Sequence, residues 1–369
     1  MTQRPPHSKN ADPRFPARGE ATREKLTAHR GLATWGERLV PLAAFREAAR
    51  KAGRRLPAAE REAARRGYLA PRADPTPVEG PYRRIAVFGG VYSNHLALAA
   101  LLEDARRRGA EALYCLGDLG AFGPHPDKVR PLLEAGAVRS LQGNYEESLA
   151  AGAGDCNCGY TDPRDNHFAG LSYRYTAERS SAALKAWMGT LPKRRRVLVG
   201  ERELLLVHGS PRRTNEFLFE SATPAAYLEV LLDQERADGL LFTHTGLHWH
   251  RRLPSGRDAV NAGVIGRPAN DGRTNVWYTL VEAEPEGGDG AGAEGEAGTA
   301  ESATSGLAER VGRAGLRIEH VPLAYDWRAL AAEMRAERLP EEFVETIETG
   351  WWTTCLEVLP ARERAASRF

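Results

Sequence analysis

Cysteine is nearly absent from this chain. There are 4 in 369 residues, and two of them form a single Cys-x-Cys pair, Cys156 and Cys158. That scarcity excludes a small disulfide-stapled scaffold and fits a reducing compartment, so a cytoplasmic location is expected. No apolar run approaches about 18 residues, which excludes a helical membrane span and leaves no membrane partner expected. The N-terminus is rich in Pro and Arg and lacks an apolar core segment, so it does not read as a secretory signal. Lysine is scarce beside arginine while alanine is abundant, a codon signature of a GC-rich bacterial genome. An apolar content of 42% suffices for one large domain, with or without appendages.

What is present divides the chain unevenly. Residues 1–84 hold 19 Lys/Arg against 9 Asp/Glu. Residues 1–20 are polar, proline-rich and aperiodic, and are expected to be disordered. Residues 37–66 carry apolar and basic positions at helical spacing, with Pro57 at a helix start. Two readings fit this basic extension: helices that pack on the domain, or a patch that attracts an anionic substrate or nucleic acid. Interleaved Glu and few aromatics favour packing over nucleic acid. Residues 282–306 are Gly/Ala/Ser/Thr-rich, with seven acidic side chains between Glu282 and Glu301 and no Lys or Arg, and read as a disordered insertion. The expected organisation is an N-terminal extension (1–84), a core (85–281), the acidic insertion (282–306), and a C-terminal strand and helices that complete the core (307–369).

Within the core, short apolar runs alternate with amphipathic segments. Strands are expected at 85–88, 112–116 and 138–142, with helices at 96–107 and 127–135 between them. This βαβαβ rhythm implies parallel pairing with helices on the faces. A helix over 176–191 ends at Pro192. Strands follow at 196–200 and 203–207, a helix at 224–238 and a strand at 239–243. The segments 259–264 and 275–281 are expected to close a second sheet, and 317–323 to pair across the insertion. Asp326 caps a helix, Pro340 starts another that ends near Gly350, and Trp351 and Trp352 are expected to pack the tail onto the domain. Several strands end in a hard ligand: Asp118 in Gly-Asp, Asn144 in Gly-Asn, His208 in Val-His-Gly-Ser-Pro, and His244 in Thr-His-Thr-Gly-Leu-His. Strand-end loops are where α/β sheets build their sites.

This order of motifs resembles the calcineurin-like metallophosphoesterases, in particular their small bacterial phosphodiesterase and phosphatase branch. The resemblance covers roughly residues 84–280. It implies a two-sheet α/β sandwich flanked by helices, the four-layer αββα arrangement, with two metal ions about 3.5–4 Å apart and a bridging hydroxide that attacks phosphorus. Asp118 would bridge the ions, and Asn144, His208 and His244 would complete one of the two sites. The other site departs from the pattern: Gly90 and Tyr92 stand in place of its Asp and His, and Gly246 in place of the second His of the last pair. Tyr145 replaces the His that often follows the Asn.

Substitutes lie nearby. Tyr92 offers a phenolate. His248 and His250 follow Gly246, and His248 is the stronger candidate to swing back as a ligand. Cys156 and Cys158 offer thiolates, or simply shape their loop. Arg267, and Arg212 or Arg213, are candidate phosphate contacts. Asn94, a further candidate substrate contact, closes the loop 89–94, whose glycines would also let backbone N–H groups approach phosphate. The oxygen and nitrogen ligand set suits one or two ions of Mn, Fe, Zn or Co. The expected activity is metal-dependent hydrolysis of a phosphomonoester or phosphodiester at a rebuilt or single-metal site, with Asp118, Asn144 and Arg267 as the catalytic set. The competing readings are an inactive relative that binds a small phosphorylated ligand, and a scaffold that engages a partner through its basic extension.

Overall fold

The computed structural model describes residues 32–35, 38–41, 75–284 and 315–366. The chain falls into two units, residues 1–72 and 73–369. In the first, strands β1 (Leu32–Trp35) and β2 (Arg38–Pro41) pair antiparallel. The helical reading of 37–66 therefore fails at its start, and its remainder lies outside the described residues, as do residues 1–20 and most of the acidic insertion. The second unit begins upstream of the 84/85 boundary, because β3 (Val78–Tyr82) is already the edge strand of its larger sheet.

The remaining strands are β4 (Arg84–Phe88), β5 (Ala112–Cys115), β6 (Arg139–Ser140), β7 (Arg194–Val199), β8 (Arg202–Val207), β9 (Gly239–Phe242), β10 (Trp249–Arg252), β11 (Asp258–Asn261), β12 (Val276–Ala283) and β13 (Leu316–Leu323). They form a five-stranded sheet in the order β13-β12-β4-β5-β6 and a six-stranded sheet in the order β10-β11-β9-β8-β7-β3. β4, β5 and β6 run parallel, as do β8, β9 and β11. The segment expected to finish the second sheet is split: β11 joins it, whereas β12 pairs antiparallel with β4 in the first sheet. β12 and β13 pair over all eight positions, so the insertion does join adjacent antiparallel strands.

Alternation along the strands explains the layers. In β4, Ile85 and Val87 face the core between the sheets, while Ala86 and Phe88 face the helices outside. In β8, Leu204 and Leu206 point inward, and Leu205 and Val207 point to the other helical layer. Side chains alternate across a strand, so a run that is apolar at every position must be covered on both faces. The covering helices are α1 (His95–Arg107), α2 (Val129–Ala135), α3 (Asn144–Ala150), α4 (Pro163–Arg179) and α5 (Ala182–Met188), then α6 (Ala225–Glu235), α7 (Trp327–Ala336), α8 (Glu341–Thr349) and α9 (Ala361–Ala365). The result is the four-layer αββα sandwich.

Two local details depart from the sequence reading. The helix expected at 176–191 is two helices, because Ser180 leaves helical geometry and the Ser181 hydroxyl caps α5 by accepting from Leu184 N–H. Cys156 and Cys158 are bonded to each other, so the chain does carry a disulfide. Among the described residues no helix is long and apolar enough to cross a membrane.

Candidate metal centre

Four strand ends converge. Asp118 follows β5, Asn144 follows β6, His208 follows β8 and His244 follows β9. The Asp118 and Asn144 loops are in direct contact, which explains their glycines. A Cβ on Gly117 would lie 2.4 Å from the Gly143 nitrogen, and one on Gly143 would lie 2.6 Å from Asp118 Oδ1. Asp118 and His244 themselves have left-handed backbone (φ 59° and 67°), an uncommon conformation for residues with a side chain and one that gathers at functional sites.

The hydrogen bonds around the four side chains fix which atom of each faces the others. His208 Nδ1 lies 2.7 Å from the Leu116 carbonyl and donates to it, leaving Nε2 as a lone pair. His244 Nε2 lies 3.2 Å from the Cys158 carbonyl, leaving Nδ1 as a lone pair. The Asn144 amide nitrogen donates to the Cys156 carbonyl (2.9 Å), which turns Oδ1 inward. Asp118 Oδ1 accepts from Tyr145 N–H (3.2 Å), and Oδ2 stays free of the backbone. These inward atoms are close: His208 Nε2 is 3.1 Å from Asn144 Oδ1, 3.1 Å from His244 Nδ1 and 3.3 Å from Asp118 Oδ2. The Asp118, His208 and His244 ligand atoms all lie within 4.8 Å of one another. Oriented imidazoles and carboxylates of this kind are how proteins prepare a metal site.

Two species could satisfy this set. A proton on His208 Nε2 would serve Asp118. Burial alone would push that histidine down, but the Asp118 carboxylate outweighs it and raises its pKa. Burial likewise pushes Asp118 up, and His208 overrides it and holds the carboxyl below its usual range. A single proton still leaves the Asn144 and His244 lone pairs facing other acceptors. Burial, then the nearby His208, drives His244 down to about 3, so it takes no second proton. One divalent ion would serve all four atoms, and a set of two imidazoles, a carboxylate and an amide oxygen is of the kind that suits Mn, Fe, Zn or Co.

Glu146 was not singled out by the sequence, yet it ties the site together. It is fully buried, and its two oxygens accept from the Asp118, Leu119 and Gly143 N–H groups at 2.7–2.8 Å. Burial and the Asp118 charge raise its pKa to about 7. From α4, the Thr176 and Ser172 hydroxyls accept from Ala121 and Phe122 N–H and hold the rest of the Asp118 loop.

Beside Asp118 and His244 lies a cavity of about 50 Å³, walled by Tyr92, Tyr145, Tyr160, Phe343, Cys355 and Arg267 among others. Arg267 is 6% exposed, its Nε has no hydrogen-bond partner, and among the described residues no carboxylate pairs with it. Its guanidinium carbon lies 3.5 Å from the Trp352 ring centroid, 5.8 Å from that of Tyr92 and 5.9 Å from that of Phe122. Trp352 thus packs the tail, as expected, and its ring also lies against the guanidinium.

Other sequence candidates are placed differently. His248 is not among the converging atoms. The chain turns after Gly246 into β10, and the His248 ring stacks on Trp277 (centroids 4.1 Å apart) and lies 4.9 Å from His320. His250 pairs with Asp258 at 2.7 Å. Asn94 is the N-cap of α1, accepting from Ala97 N–H and donating to the Ile265 carbonyl. Arg212 donates to the Tyr227 hydroxyl and does not line the cavity. Tyr92 does line it, and burial raises its phenol well above the usual range. Cys156 and Cys158 are tied up in their disulfide, and their carbonyls orient Asn144 and His244. In the loop 89–94 the N–H groups of Gly89, Tyr92, Ser93 and Asn94 go to backbone carbonyls and are not available to phosphate.

No family model matches the chain. It is 36% identical over 62 residues to an uncharacterized protein of Methanocaldococcus jannaschii, a segment that covers 17% of this chain and 26% of that one. Two solved structures cover far more. A hypothetical protein of Pyrococcus horikoshii matches with a TM-score of 0.55 and a metallophosphoesterase of Sphaerobacter thermophilus with 0.50, each at 21% identity, over 73% of this chain and 99% of theirs. At that identity the likeness speaks for fold, and with the αββα layers and strand-end ligands already in place it leads to one conclusion: the chain has the metallophosphoesterase fold.

Proposed function

We propose that this protein hydrolyses a phosphate ester, a phosphomonoester or a phosphodiester, at a metal centre formed by Asp118, Asn144, His208 and His244. The observation that carries the reading is the convergence of four lone pairs, each turned inward by a hydrogen bond on the far side of its side chain. A bound divalent transition metal supplies Lewis acidity toward a phosphoryl oxygen and lowers the pKa of water at neutral pH. The chain's own residues do the rest. Arg267 presents N–H donors to the phosphate oxygens. The aromatic walls exclude bulk water, which strengthens every charge interaction inside.

A second reading, binding of a phosphorylated ligand without turnover, draws on the small volume of the cavity, about 50 Å³, and on Phe343 and Cys355 in its lining. One experiment separates the two. Purified protein reconstituted with Mn, Fe, Zn or Co is assayed on an aryl phosphomonoester and a bis-aryl phosphodiester, with metal content measured alongside. Metal retained together with turnover that disappears in His208→Ala supports hydrolysis. Metal and phosphate bound without turnover of either ester favours the binding reading, and a chain that holds no metal overturns the first.

A further inference from the structure

The half of the cavity where a second metal ion would sit does not fit one. Gly90, Tyr92 and Gly246 supply no carboxylate or imidazole there, and the space that longer side chains at 90 and 246 would enter is already filled. A Cβ on Gly90 would lie 2.6 Å from Tyr92 Cζ and 2.7 Å from Val264 Cγ1. A Cβ on Gly246 would lie 3.1 Å from the Trp352 ring and 3.2 Å from Arg267 Nη2. Any side chain built outward from position 246 meets the guanidinium and the indole at its first atom. The ligands are therefore not merely missing; an aromatic ring and a fixed organic cation hold their place.

Resting on the phosphoesterase reading, we infer that the Arg267 guanidinium stands in for the second ion, so that the centre works with one metal and one arginine. Three observations carry this. Arg267 reaches the place a ligand from position 246 would occupy. It is buried with no carboxylate partner, and Asp118, the one carboxylate on the cavity wall, is engaged with His208, both among the described residues. A buried cation without a counter-ion is costly, and an anion that enters the cavity relieves that cost. Finally, Trp352, Tyr92 and Phe122 surround the guanidinium, which stabilises its charge and fixes its plane without consuming its N–H donors. A guanidinium gives charge and directional donors to phosphoryl oxygens, as an ion would, but it does not acidify water. Generation of the nucleophile then falls entirely to the Asp118 side.

The test counts ions and measures phosphate. Metal-stripped full-length protein is titrated with Mn(II), and inorganic phosphate is then titrated into the loaded protein. The wild type is expected to bind one ion per chain, and so is Arg267→Ala, whose phosphate affinity falls about 10- to 100-fold. Added guanidinium ion restores part of that affinity. Arg267→Lys keeps the charge, loses the planar fork and falls between the two. Two ions per wild-type chain would overturn the replacement while leaving the phosphoesterase reading intact, and none would overturn both. Undiminished phosphate binding in folded Arg267→Ala and Arg267→Lys would also sink it. The wild-type ion count decides the matter even if both variants fail to fold.

Discussion

The two walls of one cavity are built on opposite logic. On the Asp118 wall, four polar side chains are held from behind by backbone groups of residues 116, 145, 156 and 158, and present only lone pairs. On the Arg267 wall, three aromatic rings surround a buried positive charge whose N–H donors have no carboxylate partner among the described residues. The first wall calls for a cation and the second for an anion. A metal–phosphate pair answers both demands, and neither wall needs the chemistry of the other. The asymmetry also shows how a two-ion centre can lose one half without losing its polarity: charge on that side is supplied by a residue instead of a solute.

The comparison can be broken first on the polar wall. His208→Ala removes the atom closest to the other three ligand atoms, and metal affinity is expected to fall by more than about 100-fold, since even partners behind a ligand cost 10–100-fold. Elemental analysis after gel filtration checks it, and unchanged content in both His208→Ala and His244→Ala would discard the site. On the aromatic wall the leading effect is stability. Trp352 is 1% exposed, and its indole N–H donates to the Pro268 carbonyl at 2.7 Å. Trp352→Ala should cost about 3–5 kcal/mol in denaturant unfolding, with Mn stoichiometry preserved in the folded fraction. Behind the polar wall, Glu146→Gln replaces an acceptor of three N–H bonds by a group that must turn an NH₂ toward one of them. A loss of about 1–3 kcal/mol is expected, together with weaker metal binding. A variant as stable as the parent and with equal affinity would remove Glu146 from the site.

The smallest effect separates the cavity from its neighbourhood. Burial lowers His248 to about 4 and, with His248 beside it, His320 to about 3. Below the ordinary histidine value near 6.5 the unfolded chain takes up protons that the folded chain refuses. The stability these two residues hold by staying neutral is complete above about pH 6.5 and is lost as pH falls from there toward 4. Melting temperatures recorded across pH 4–7 should flatten in His248→Gln and His320→Gln relative to the parent. Parallel curves would show that these histidines do not titrate differently on unfolding.

The strands that end at Asp118, His208 and His244 were legible because their apolar runs are short, continuous and followed at once by a polar ligand. The layers followed from the same runs, since a strand apolar at every position needs cover on both faces. What escaped depended on distant pairing. Nothing local tells β12 to sit beside β4 instead of in the second sheet. His248 has suitable spacing from His244, but β10 pairs with β11 and draws the chain away before the imidazole can turn back. Trp352 lies 85 residues beyond Arg267, and no periodicity links an indole to a guanidinium. Glu146 carries no signal of its own in the sequence, because its three N–H partners come together only when the two loops meet, and the pairing of Cys156 with Cys158 ran against the expectation that scarce cysteines stay reduced.

Glu146 has a consequence for anyone reading this protein by mutational scanning. Its carboxylate clamps the backbone of two loops whose ligands lie on separate strands, so a change there displaces Asp118 and Asn144 in a single event. A screen scored on activity alone would rank it with the metal ligands and credit it with chemistry. Its phenotype would in fact be one of geometry, and revertants should map to the loops at 117–119 and 143 and not to the cavity wall.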